Sequence, residues 1–304
     1  MSNELQSKVA VVAGGTRGAG RGISVALGEK GATVYVTGRS SRAAGPSPMG
    51  RTETIEETAE LVTAAGGTGI PVRVDHANAD EVAALAARVR DEQGGRLDIL
   101  VNDVWGGDGM VDWERRFWEQ DLDRGLALLR QAIETHIITS HHLVPLMVAR
   151  GSGLVVEITD GVEPGYRGSF YYDLAKAGVI RLAVAQAGDL RRHGIAAVAV
   201  TPGFLRSEAM LDHFGVTEAN WRDAVATDKD FVASETPAFV GRAIASLAAD
   251  PECARFSGQA LSSWGLSEIY DFVDADGARP HWGRHYAEAY PNGFWADADS
   301  QPAP

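Results

Sequence analysis

With 304 residues, 45% of them hydrophobic and 23% charged, the chain has the composition of a globular protein large enough to bury a core without disulfide or metal staples. Its net charge of −13 argues against broad nucleic-acid binding, and the single cysteine, Cys253, excludes an intrachain disulfide framework and fits a reducing compartment. No window approaches the ~18 apolar residues of a membrane span, and the first residues lack the basic and apolar segments of a signal peptide, so a cytoplasmic protein is expected.

Strand and helix patterns alternate along the chain. "KVAVVAG" reads as a strand and "GRGISVALGEKG" as the helix after it. "TVYVTG", a helix over "TIEETAELVTAAGG", "GIPVRVD", a helix over "DEVAALAARVRDEQ" and "LDILVND" follow. The pattern resumes with a long helix to "PLMVARG", the strand "GLVVEIT", a helix from Tyr172 to His193 and the strand "IAAVAVTPG", and "GQALSSWG" could add an edge strand. Nearly continuous apolar strands suit a sheet buried on both faces. The alternation predicts an α/β fold, a doubly wound parallel sheet of about seven strands with helices on both faces. Without internal repeat or linker, residues 1–304 are expected to form one domain.

The alternation is interrupted by a Gly/Pro/Ser-rich loop at 40–51 and by a loop at 103–123 that carries three tryptophans. The regions 103–123 and 204–235 are expected to be substrate loops, followed by an aromatic tail, 264–304, with Tyr270, Trp282, Tyr286, Tyr290, Phe294 and Trp295. Most of these aromatics are expected in packing or subunit contacts.

The first strand–helix junction, "VVAGGTRGAGRGI", carries Gly14, Gly18 and Gly20 with Thr16 and Arg17 between them. Glycines permit the tight turn and the close approach of backbone to a pyrophosphate, and the helix N-terminus favours its charge. The second strand ends "TGRSSR", with Arg39 where an acid would bind a free ribose 2′-hydroxyl. Arg17 and Arg39 suit a 2′-phosphate through charge-assisted hydrogen bonds, so NADP(H) is expected over NAD(H).

Further on, "SFYYDLAK" holds two tyrosines and a lysine. Tyr172 and Lys176 are four residues apart and share a helix face, whereas Tyr171 points elsewhere. Spacing alone chooses between the tyrosines without making either catalytic.

Together these motifs resemble the short-chain dehydrogenase/reductase family, from about Lys8 to Gly265. The resemblance implies a Rossmann-type fold and transfer of hydride between a nicotinamide and a carbonyl or alcohol. It implies that Tyr172 is the acid/base and that Lys176 lowers its pKa and holds the nicotinamide ribose. Asp75 in "RVDHAN" falls where the family contacts adenine, Asn102 in the segment matching its "NNAG", and Pro202, Gly203 and Ser207 beside the nicotinamide. A looser likeness, in "RLDILVND", "FWE", "DLRRHGI" and "DADGARP", is to the branch called dehydrogenase/reductase member 1, associated with NADPH-dependent reduction of carbonyls.

The chain departs from the family pattern at Ala13 and Ser207, where threonine is usual, in Asp103, Val104 and Trp105 after Asn102, and at two catalytic positions. The serine that donates to the substrate carbonyl is replaced, with Thr159 and Asp160 standing 13 and 12 residues before Tyr172. Thr159 can donate a hydroxyl, whereas an ionised Asp160 would only accept and would raise the pKa of Tyr172. Thr159 is therefore expected in the site and Asp160 in solvent; the alternative, Asp160 facing the site, requires it to be protonated or to bind a cationic substrate group. The relay asparagine falls at Ala132, with Gln131 beside it expected to face away.

No metal site is expected: His136, His141 and His142 lack i,i+4 spacing, and His281 and His285 have it without a third ligand. Asp103, Asp108, Asp112 and Glu114 make the loop acidic, which favours cationic or neutral polar substrates. The expected function is reversible NADP-dependent reduction of a ketone or aldehyde, with a homodimer or homotetramer implied by the family. The alternatives are a non-catalytic dinucleotide sensor or scaffold, and a dehydrating or isomerising enzyme of the same fold.

Overall fold

The computed structural model describes residues 3–44, 50–162 and 165–291, so Phe294 and Trp295 of the aromatic tail lie outside the described residues. Seven strands form one parallel sheet: β1 (Val9–Ala13), β2 (Thr33–Gly38), β3 (Thr68–Arg73), β4 (Ile99–Asn102), β5 (Gly153–Ile158), β6 (Ile195–Thr201) and β7 (Ala260–Ser262). Their spatial order is β3-β2-β1-β4-β5-β6-β7, and every pair is parallel. This is the doubly wound Rossmann-type architecture that the alternation of elements predicts.

Two of the predicted strands lie at the edges. β3 is largely solvent-accessible and carries Pro71, paired in register with Val36. A residue without an N–H is tolerated there because the outer side of an edge strand has no neighbour to bond.

The helices are α1 (Gly18–Glu29), α2 (Ile55–Ala64), α3 (Ala79–Glu92), α4 (Leu122–Leu129), α5 (Thr135–Arg150), α6 (Phe170–Leu190), α7 (Glu208–Phe214), α8 (Pro237–Ala249), α9 (Ser263–Tyr270) and α10 (Trp282–Ala289). Side-chain alternation along the strands separates two cores. Val12, Val34, Val101, Val156 and Val198 pack with Ile23 of α1, Val62 of α2 and Val240 and Ile244 of α8. Val11, Tyr35, Leu100 and Val155 pack on the other face with Leu85 of α3, Leu143 and Met147 of α5 and Leu190 of α6.

Helices α4 and α5 are continuous through a π-helical turn, Arg130–Glu134. Helix α8, which follows Thr236 and opens with Pro237, was not among the predicted elements. It lies close against α1, where a Cβ on Gly22 would stand 1.9 Å from the Pro237 carbonyl oxygen and one on Gly241 2.4 Å from that of Gly22. Among the described residues, no helix is long and apolar enough to cross a membrane.

Candidate active site

The strand order reverses between β1 and β4, and the carboxyl ends of β1, β4, β5 and β6 open there into a cleft of about 1260 Å³. In open α/β sheets this switch point is where ligands bind. Gly14, Thr16, Arg17, Gly18, Arg39, Asp75, Thr159, Tyr172, Lys176, Pro202, Gly203 and Ser207 all line this cleft. Asn102 does not: fully buried, it donates to Ser140 Oγ and Glu157 Oε1, both at 2.9 Å, and ties β4 to α5 and β5. Its Oδ1 has no hydrogen-bond partner among the described residues.

The glycine turn is dictated first by packing. A Cβ on Gly14 would lie 2.4 Å from the Asp103 carbonyl oxygen, and one on Gly20 2.3 Å from that of Gly14. Gly14 and Gly18 also adopt φ of 88° and 56°, the left-handed region that favours glycine. The turn delivers the Gly18 N–H, at the start of α1, into the cleft, where it donates to Glu208 Oε2 at 2.8 Å. A carboxylate thus occupies the anion position of a helix N-terminus that has no acid in its own first turn.

Just past β2, Arg39 is half-buried and, among the described residues, has no ion pair. Arg17 has an acidic neighbour that sequence order conceals, since Glu53 Oε2 stands 3.9 Å from its Nη1. Glu53 is held mainly by Arg51, whose hydrogen bonds keep its carboxyl below the usual range despite burial. Burial lowers the pKa of Arg17.

Tyr172 and Lys176 meet at the centre of the cleft. Lys176 Nζ sits 5.5 Å from the Tyr172 ring centroid and 3.9 Å from that of Trp105, which meets Tyr172 edge-on. Tyr171 turns away towards Gly125 of α4, where a Cβ would fall 2.3 Å from its ring. Burial lowers the pKa of Lys176, against the attraction of Asp160, Asp103 and Asp108.

Thr159 and Asp160 both line the cleft, with hydrogen-bond partners that differ from those expected. The Thr159 hydroxyl donates to the Lys176 carbonyl oxygen at 2.8 Å and is taken up in anchoring α6. Asp160 instead accepts from the Tyr172 hydroxyl at 2.8 Å. Burial raises the tyrosine's pKa well above its ordinary value, and the Asp160 charge and hydrogen bond raise it further. Arg167 donates through Nε to the Asp160 backbone oxygen and pairs with Asp173 at 3.1 Å, which holds the loop between β5 and α6 on the helix.

Gln131 also departs from expectation. The π-helical turn changes the phase of the helix, and Gln131 lines the cleft and donates to the Trp105 carbonyl oxygen at 3.0 Å. Ala132 borders a separate cavity of about 10 Å³ with Asp103, His136 and Lys176, close to the smallest volume that holds a water. Burial pushes Asp103 up to about 7, against the pull of Lys176 and His136.

His136 faces Glu157 at 2.7 Å and the Val104 carbonyl oxygen at 3.2 Å. His281 faces Glu268 at 3.3 Å and His285 faces Asp230 at 2.9 Å. Helix α10 forms one wall of the cleft through Trp282 and Tyr286, with Trp282 packed on Gly203 and Phe204. Part of the aromatic tail thus lines the cleft besides packing on its own neighbours.

The cleft at the switch point, with its glycine turn and cationic residues at one end and a Tyr–Lys pair in the middle, defines a dinucleotide-binding α/β protein. Residues 8–214 match the profile of the short chain dehydrogenase family. The chain is 32% identical over 280 residues to human "Dehydrogenase/reductase SDR family member 1", an alignment that covers 91% of this chain and 86% of that one. A short chain dehydrogenase from Mycobacterium thermoresistibile shares the fold with a TM-score of 0.75 at 24% identity, over 92% of each chain. Actinorhodin polyketide ketoreductase, solved with NADPH, shares it with a TM-score of 0.68 at 24% identity, over 86% of this chain and 97% of that one. The chain therefore belongs to the short-chain dehydrogenase/reductase family of oxidoreductases, whose members bind a nicotinamide dinucleotide, and it resembles the member 1 branch.

Proposed function

We propose that this protein is an NADPH-preferring carbonyl reductase that converts a ketone or aldehyde to an alcohol, with Tyr172 as proton donor. The observation that carries the reading is the convergence of Tyr172 and Lys176 on the cleft into which the glycine turn also opens. The residues present fit a dinucleotide. The Gly18 N–H already holds a carboxylate where a pyrophosphate would sit, and Arg39 lines the cleft without an acidic partner among the described residues.

Gly14, Thr16, Gly18 and Gly20 would hold the pyrophosphate, Arg39 and Arg17 the 2′-phosphate and Asp75 the adenine end. Lys176 would hold the nicotinamide ribose, with Pro202, Gly203 and Ser207 beside the ring. The bound nicotinamide supplies the hydride. Tyr172 breaks its O–H bond and gives the proton to the carbonyl oxygen, and the Lys176 ammonium opposes the negative charge left on the phenolate. The aromatic walls exclude water from the reacting atoms. A cytosolic, self-associated form is part of the proposal, supported by the exposed apolar side chains of Phe117, Trp118 and Leu122.

Tyr172→Phe tests the reading. Over a panel of ketones and aldehydes, NADPH consumption is expected to fall at least about 100-fold, the range of acid–base catalysis, with NADPH affinity nearly intact. Turnover that survives the substitution would remove Tyr172 from the mechanism. The hydrogen bond from Tyr172 to Asp160 favours a second reading, a dinucleotide sensor whose tyrosine keeps its proton. NADPH binding without oxidation by any carbonyl would support it.

A further inference from the structure

The reacting oxygen of a substrate must lie against the Tyr172 hydroxyl, and that hydroxyl points at a carboxylate. Asp160 is half-buried and lines the cleft, and among the described residues it has no ion pair. The nearest guanidinium, that of Arg167, binds the Asp160 backbone oxygen and the Asp173 carboxylate rather than the Asp160 side chain. Thr159, the other residue at this strand end, has its hydroxyl bonded to the Lys176 carbonyl.

A neutral ketone therefore meets acceptor against acceptor at this wall. Its oxygen would displace solvent from Asp160 and offer no hydrogen in return, a desolvation left without compensation. Transfer of the tyrosine proton would then leave a phenolate beside a carboxylate, two like charges that repel. A positive charge on the substrate removes both difficulties. The adjoining walls suit one: the Trp113 ring lies 5.0 Å from that of Tyr172 and is about half exposed to the cleft, and Asp108 stands at the mouth. Aromatic faces and carboxylates together are the chemistry that recognises an ammonium.

We infer that the substrate carries a positively charged nitrogen on the carbon next to its carbonyl, as in the ammonium form of an α-amino ketone or α-amino aldehyde, and that Asp160 binds that nitrogen. The inference rests on the carbonyl reductase reading and names its substrate class. The ammonium donates to Asp160, the carbonyl oxygen accepts from Tyr172, and the product is the amino alcohol. The new C–H bond takes the hydride and the new O–H bond takes the tyrosine proton, so charge on the substrate is unchanged by the reaction.

The test compares a phenyl α-amino ketone with phenyl isopropyl ketone, in which a methyl replaces the ammonium. The wild-type chain is expected to prefer the amino ketone by at least about tenfold in kcat/KM, the factor a hydrogen bond to a charged group carries. Asp160→Ser, which replaces the carboxylate with a hydroxyl donor, is expected to reverse the ranking. In parallel, binding of the two product alcohols is read by quenching of tryptophan fluorescence, with NADP present. Asp160→Asn should weaken the amino alcohol at least about tenfold and the neutral alcohol far less. Equal kcat/KM for the two ketones, or a preference that survives both substitutions, overturns the inference while leaving the reductase intact. If neither ketone consumes NADPH the reductase reading fails, and the binding comparison still decides the role of Asp160: equal affinity for both alcohols overturns it.

Discussion

A guanidinium that lines a cleft with no ion pair among the described residues is positioned for an anion, and Arg39 is such a group. Arg17 differs, because Glu53 and Arg51 already surround it with charges of both signs. The 2′-phosphate is therefore expected to depend mainly on Arg39. Arg39→Asp should weaken NADPH by about tenfold to a hundredfold, the range for hydrogen bonds to charged groups, and NADH only slightly, as measured by titration calorimetry. Equal losses for both cofactors would instead indicate a damaged fold. Tyr172 and Lys176, fixed by helical spacing, and Gly14 and Gly18, fixed by the turn, line the cleft where local geometry alone puts them. The choice between Thr159 and Asp160 rests on which side chain can donate, and donor chemistry does not say which acceptor takes the donor: the Thr159 hydroxyl goes to the Lys176 carbonyl, and Asp160 accepts from Tyr172.

Contacts between elements are the part that chain order conceals most. The carboxylate of Glu208, the first residue of α7, reaches the Gly18 N–H at the start of α1, 190 residues away in sequence. Arg21 lies 3.5 Å from the same carboxylate. An anionic cofactor must compete with this intramolecular anion for the positive end of α1. Glu208→Gln is thus expected to tighten dinucleotide binding about fivefold, since a charge at a helix terminus is worth about 1 kcal/mol, while Arg21 keeps Glu57 at 2.9 Å. Unchanged or weaker binding in a fluorescence titration would show that Glu208 assists the cofactor instead. The π-helical turn at Arg130–Glu134 is equally silent in the sequence. Counting at 3.6 residues per turn sends Gln131 away from the site, and one widened turn brings it in. Helix α8 carries an ordinary signal, Thr236 followed by Pro237 at the first turn and then an apolar run.

The whole molecule was legible as topology because a parallel sheet covered on both faces has few alternatives once strands and helices alternate. What alternation cannot reveal is which carboxylates the closed structure buries, and these determine how stability responds to pH. Glu235 is 1% exposed, beneath the Pro202–Gly203 turn, and accepts from the Gly203 N–H at 2.9 Å and the Ser263 hydroxyl at 2.6 Å. Burial raises its pKa from 4.5 to about 8, with Asp274 contributing in the same direction, against those two hydrogen bonds and Arg206. Asp103 rises from 3.8 to about 7 for the same first reason. For an acid whose pKa is raised on folding, native and unfolded chains are both protonated below the unfolded value, and stability there is at its full level. Between the two values the unfolded chain releases a proton that the native state keeps, so stability falls as pH rises, and above the native value the loss is complete. The window for Glu235 runs from 4.5 to about 8. Glu235→Gln removes this titration and retains an acceptor for the Gly203 N–H. Its melting temperature relative to wild type is therefore expected to climb between pH 5 and pH 8 by at least about 3 °C, since about 1 kcal/mol moves a chain of this size by roughly 2 °C. Parallel profiles across that window would mean that Glu235 titrates alike in both states, and that relaxation or water at the Pro202–Gly203 turn solvates the charge.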